Sequence, residues 1–184
     1  MKLFKVSLLF ISLTLFSCDN VEPTIYNKVL THGEIGFNIS TTPDGGAVKL
    51  TIAPFGLSVD NTPFIKNISG KVTNSEIGDM NGDGFPELLV YTKAGENNTG
   101  NVEAVFTNGG KSISLIYFRP TAEDSRISTG YNGLDEFKVI DNQLRQRFPI
   151  YENGKATGRT RQAMYSFENG EDMGIFKLEN VSEY

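Results

Sequence analysis

The chain has 184 residues, 17 basic against 22 acidic side chains, one histidine and one cysteine. This composition excludes a disulfide framework and a His/Cys zinc cluster, and it disfavours a nucleic-acid groove, which needs clustered Lys and Arg. The length suits one ordinary domain with a core of its own.

Residues 1–17 carry Lys2 and Lys5, then an apolar run from Val6 to Phe16 that is too short for a comfortable membrane span. They read as a secretory signal peptide. Leu15-Phe16-Ser17-Cys18 resembles the bacterial lipobox, in which the cysteine becomes the diacylated first residue of a mature lipoprotein. Lipidation of Cys18 explains both its position and its solitude, because an exported thiol without a disulfide partner is otherwise a liability. The acyl chains then hold the protein on a membrane, at about 0.8 kcal/mol per buried methylene. Removing residues 1–17 takes away two lysines and no acids, leaving 15 basic against 22 acidic residues and a formal charge of −7. That charge suits a basic partner without identifying one.

Residues 18–33 are mixed and polar, with Pro23 and no clear period, as expected of a tether behind the lipidated cysteine. The folded domain is expected over 34–184. Val48, Leu50 and Ile52 alternate with Lys49 and Thr51, the pattern of a strand with one wet face. The most distinctive stretch follows, Glu76–Thr92, EIGDMNGDGFPELLVYT. Asp79, Asn81 and Asp83 alternate along a turn whose Gly82 and Gly84 allow a tight backbone, and Glu87 comes after. This D-x-N-x-D-G-x-x-E spacing can aim three or four side-chain oxygens inward, with the Phe85 carbonyl as a further ligand, the oxygen-only set that Ca²⁺ takes. It is not an EF-hand, because the twelfth position falls on Val90, and the shorter calcium loops of β-propellers are the closer analogy. A metal-free Asx turn is the competing reading.

Leu88–Tyr91 is a continuous apolar run, expected as a central strand buried on both faces. Val102–Phe106, Ile113–Phe118, Phe137–Ile140, Gln143–Tyr151, Arg161–Phe167 and Ile175–Val181 follow at strand-like intervals. Asn108-Gly109-Gly110 and Asp141-Asn142 read as hairpin turns, and only Ala122–Ser128 hints at helix. About eight strands with tight turns predict an all-β fold, a single antiparallel β-sandwich with minimal helix. The 79–87 loop occurs once, which argues against a propeller.

The usual catalytic constellations are missing. His32 is the sole histidine, and there is no phosphate-binding or dinucleotide fingerprint, so an enzyme is not expected. The acid pairs Glu123-Asp124 and Asp135-Glu136 read as solvated loop residues, and Arg145, Arg147, Arg159 and Arg161 as cross-strand partners of surface carboxylates.

Taken together, IGDMNGDGFPELLVYT, KSISLIYF, GYNGLDEF and RFPIY with the later TGRTR resemble the bacterial periplasmic inhibitors of invertebrate-type (i-type) lysozyme, over about Val48 to Leu178. The resemblance implies an all-β domain that plugs a lysozyme or other muramidase cleft with exposed loops and performs no chemistry. It implies a place in the bacterial cell envelope, lipid-anchored, at the periplasmic face or the cell surface. Family members carry an S-G-x-Y signature in the loop after the strand matching Leu88–Thr92. The equivalent positions here are Glu96, Asn97, Asn98 and Thr99, followed by Gly100, with Glu96 in place of Ser and Thr99 in place of Tyr. A Glu presented to a glycosidase's paired carboxylates meets like-charge repulsion, and Thr lacks the aromatic area of an interface anchor. The chain then either targets another muramidase, with Asn97 and Asn98 as amide donors, or keeps the scaffold for a different job. A surface glycan-binding or Ca²⁺-dependent adhesion module is the other class, favoured if Tyr91, Phe106, Tyr117 and Tyr131 line an exposed face.

Overall fold

The computed structural model describes residues 25–170 and 173–184. The signal peptide expected over 1–17 and Cys18 lie outside the described residues. Twelve strands run among the described residues: β1 (Asn27–His32), β2 (Ile35–Asp44), β3 (Ala47–Phe55), β4 (Phe64–Ile68), β5 (Lys71–Gly78), β6 (Glu87–Ala94), β7 (Thr99–Thr107), β8 (Ile113–Tyr117), β9 (Glu136–Ile140), β10 (Gln143–Glu152), β11 (Lys155–Glu168) and β12 (Gly174–Glu183). The helical hint at 122–128 reduces to one 3₁₀ turn, Thr121–Glu123.

The all-β expectation holds, but the architecture is larger and more closed than an eight-strand antiparallel sandwich. Strands β1–β4 form an antiparallel sheet in chain order, and the remaining eight form a curled, nearly closed barrel-like sheet in the order β5-β6-β7-β8-β12-β11-β10-β9. One pairing is parallel, a short contact in which Gly174 and Ile175 of β12 meet Ile116 and Tyr117 of β8. The extra strands also reach into the segment expected as tether. Strand β1 pairs with β2, and Tyr26 exchanges hydrogen bonds with Thr41 through its own N–H (2.8 Å) and C=O (2.9 Å).

Two cores follow from the alternation along β6. Leu89 and Tyr91 face the barrel interior with Phe106, Phe118, Leu144, Phe148, Tyr165 and Phe176. Leu88 and Val90 face the other way, against Phe37, Ile39, Leu50 and Ile52 of the four-stranded sheet. The run Leu88–Tyr91 is therefore buried on both faces, as its continuous apolar character predicts. Glu76 of β5 closes the barrel seam. Its carboxylate accepts the Val139 N–H of β9 at 2.9 Å and the Tyr91 hydroxyl, while Tyr91 stacks on Phe137 with ring centroids 5.6 Å apart.

Candidate functional site

The loop Gly95–Gly100 is the tip of the β6–β7 hairpin. Ala94 pairs with Thr99, the Asn98 N–H donates to the Gly95 carbonyl at 3.1 Å, and Asn98 takes a left-handed φ of 48°, which asparagine tolerates better than most residues. Glu96, Asn97, Asn98 and Thr99 are exposed, and Gly100 is buried where β7 begins.

A second segment, Tyr131–Asp135, holds this tip from the side. The Leu134 N–H donates to the Asn97 carbonyl at 2.9 Å, and the Asn97 amide donates to Asn132 Oδ1 at 3.0 Å. Gly133, with φ 79°, lies so close that a Cβ there would stand 2.3 Å from the Asn97 carbonyl oxygen. Beneath them Asp135 is 0% exposed. Its Oδ2 accepts the Gly100 N–H and the Tyr131 hydroxyl, each at 2.6 Å, and its Oδ1 accepts Gln146 Nε2 at 2.6 Å. Gln146 also donates to Thr121 Oγ1 and accepts the Tyr165 hydroxyl. Burial pushes the Asp135 carboxyl above its ordinary value despite the donors that favour the ion, and burial followed by the Asp135 carboxylate raises Tyr131.

Asp135 thus corrects the reading of the acid pairs as solvated. Asp124 is buried too, and its ion pair with Arg126 holds its carboxyl below the ordinary value. Sequence reasoning missed the role of Asp135 and Gln146. A signal was present in GYNGLDEF, whose Gly133 is required by the close approach of a second loop. Three of the four late arginines do meet carboxylates: Arg145 meets Asp141, Arg159 meets Glu152 and Glu183, and Arg161 meets Glu183. Arg147 bonds Gln162 instead, and Arg161 is buried with two backbone carbonyls, those of Ile127 and Thr129, as further acceptors.

The 79–87 loop lies at the other end of β6. Asp79 Oδ1 accepts the N–H groups of Gly82 and Asp83 at 2.7 and 3.1 Å, and Oδ2 accepts that of Gly84 at 2.9 Å. Asn81 Oδ1 accepts the Asp83 N–H, and Asp83 Oδ1 accepts the Phe85 N–H. These are the bonds of successive Asx turns. Among the described residues no three His, Cys, Asp or Glu side chains are grouped so as to hold a metal ion. Glu87 stands apart from the exposed turn, fully buried with its Oε2 on the Met80 N–H at 2.6 Å. Burial pushes its carboxyl up to about 7 against the Met80 bond, and the charges of Asp83 and Asp79 add to the rise.

Tyr91, Phe106, Tyr117 and Tyr131 do not line one exposed face, the arrangement that would favour an adhesion module. Tyr91 and Phe106 are barrel core, and Tyr131 packs edge-on to Phe148 with centroids 4.9 Å apart. Tyr117 alone of the four is exposed, at 40%. No known protein family, curated protein or solved structure matches this chain.

Proposed function

We propose that this chain is a lipid-anchored protein of a bacterial envelope that binds a lysozyme or related muramidase through the Glu96–Gly100 loop and blocks its cleft without chemistry of its own. Cys18 carries the anchor in this reading, and the acidic mature chain favours a basic partner. The observation that supports it most is the combination of an exposed hairpin tip with a buried base. Glu96, Asn98 and Thr99 face solvent, while the Asp135 carboxylate and the Leu134 N–H fix the backbone beneath them. A tip ordered before binding loses less conformational entropy when it inserts. The Asn97 amide is engaged with Asn132, so Glu96, Asn98 and Thr99 carry the loop's free polar contacts.

The test is lysis of cell-wall suspensions by c-, g- and i-type lysozymes, with and without the protein. Inhibition of at least one class is expected. The triple variant E96S/N97G/T99Y should strengthen inhibition of the i-type enzyme roughly thirtyfold, because a Tyr anchor in a desolvated pocket is worth about 2 kcal/mol. If neither protein binds any lysozyme, the reading fails. If the wild type inhibits and the triple variant is no better, the contact residues lie elsewhere.

A further inference from the structure

Among the described residues, five non-glycine residues take a positive φ, and four of them, Asn98, Asp141, Asn142 and Asn153, are of the types that tolerate it. The fifth is Leu134, at φ 62°. A leucine is strained in this left-handed region, because its Cβ crowds the neighbouring carbonyl and no short polar side chain compensates. The strain serves neither hydrophobic core. Leu134 lies outside both and is 42% exposed. The hairpin tip uses its backbone, whose N–H donates to the Asn97 carbonyl at 2.9 Å, and any residue except proline supplies that donor. Asparagine at 134 would keep the bond and relieve the strain, so the fold alone gives no reason for leucine.

The surroundings supply one. Leu134 borders a hollow of about 220 Å³ that it shares with Glu136, Arg147, Pro149 and Tyr184. Tyr184 is 64% exposed, yet its backbone exchanges hydrogen bonds with Thr160 in both directions, at 2.8 and 3.1 Å. Two large side chains thus stand in solvent on pinned backbone at one hollow, and the first is bonded to the tip.

We propose that Leu134 is the apolar anchor of the muramidase-binding surface, and that the contact face runs from the Glu96–Gly100 tip through Leu134 to the hollow it shares with Tyr184. The inference rests on the muramidase reading and supplies what the tip lacks, since Glu96, Asn98 and Thr99 are polar and offer no apolar centre from which an interface could exclude water. The occupant is the enzyme that meets the tip, because a surface covering Asn98 and Thr99 also reaches the residue hydrogen-bonded to Asn97. Strained residues held by an over-determined backbone cluster at ligand clamps, and a pinned side chain loses little entropy when a partner covers it.

The experiment measures lysis of cell-wall suspensions by c-, g- and i-type lysozymes with the wild type, Leu134→Asn, Leu134→Met and Tyr184→Ser, alongside melting curves of each protein. Leu134→Asn suits the left-handed backbone and keeps the N–H on Asn97, so it should melt at or above the wild-type temperature yet inhibit roughly tenfold more weakly. Leu134→Met retains the apolar area and should inhibit like the wild type. Tyr184→Ser should weaken inhibition without lowering the melting temperature. Leu134→Asn as potent as the wild type would overturn the anchor and leave the muramidase reading standing. So would a Leu134→Asn protein melting well below the wild type, which would make Leu134 a packing residue of the tip's base. Full potency of Tyr184→Ser would overturn the extension to the hollow. A wild type that binds no lysozyme of any class would overturn both this inference and the reading beneath it.

Discussion

Asp135 shows how a single buried side chain can set the posture of an exposed loop 35 residues earlier in the chain. Its two oxygens gather donors from β7 (Gly100), from the 128–135 segment (Tyr131) and from β10 (Gln146). Asp135→Ala removes the acceptor of the Gly100 N–H and the Tyr131 hydroxyl and leaves Gln146 Nε2 with Thr121 Oγ1 alone, and it should cost about 2–3 kcal/mol, as denaturant unfolding will measure. It should also free the Gly100 amide to exchange. The pH dependence has a definite sign. Because burial raises the Asp135 carboxyl in the folded state, the native chain holds a proton that the unfolded chain releases, so stability falls as pH rises from about 4 through the folded value. Glu87 is shifted in the same direction, to about 7, so the informative quantity is the difference between wild type and Asp135→Asn. That variant keeps one acceptor and carries no charge. Its stability relative to wild type should therefore improve with rising pH, and a difference that stays flat from pH 4 to pH 7 would remove Asp135 as a source of the dependence.

At the scale of elements, the strands that could be read from the sequence are those whose side chains report their own environment. Val48-Leu50-Ile52 alternates because β3 has one face on a core, Leu88–Tyr91 is uniformly apolar because β6 has two, and Asp141-Asn142 makes its hairpin with both residues at positive φ. Strand β2 was not read although its Phe37 and Ile39 alternate with Asn38, and strands β1, β4 and β5 carried no such signal. They are edge or near-edge strands rich in Lys, Asn, Thr and Ser, and each buries little of its own surface. The parallel contact of β8 with β12 joins residues more than fifty positions apart, and no local pattern encodes a partner at that separation. The candidate loop was legible as a position but not as a structure, since its support comes from Gly133, Leu134 and Asp135 rather than from its own residues. The barrel seam is a comparable long-range device. Glu76 joins β5 to β9 by a side chain where no ladder bond exists, and Glu76→Ala should leave the Val139 N–H unpaired at a cost of about 1–3 kcal/mol. Hydrogen exchange at Val139 should accelerate first. Unchanged protection there would mean the stacked Tyr91 and Phe137 rings close the seam unaided.

The whole molecule is two hydrophobic cores sharing one wall. Strands β6 and β7 line the barrel with one face and carry the four-stranded sheet on the other, so neither core is complete without them, while β5 adds Val72 and Ile77 to the core under that sheet. Adjacent residues on β6 make this arrangement testable. Leu88 belongs to the core under the four-stranded sheet and Leu89 to the barrel interior, and both are fully buried. Replacing either with Ala should cost about 2–5 kcal/mol, the range for large-to-small changes in a packed interior. If the shared wall couples the cores, each variant should still unfold in a single transition, with amides of β2 and β3 losing protection together with those of β10 and β11. The wall favours that outcome, because loosening one face of β6 disturbs the backbone that positions the other. A Leu88→Ala protein whose four-stranded sheet exchanges freely while the barrel amides stay protected would show instead that the sheet is a separable unit laid on an independent barrel.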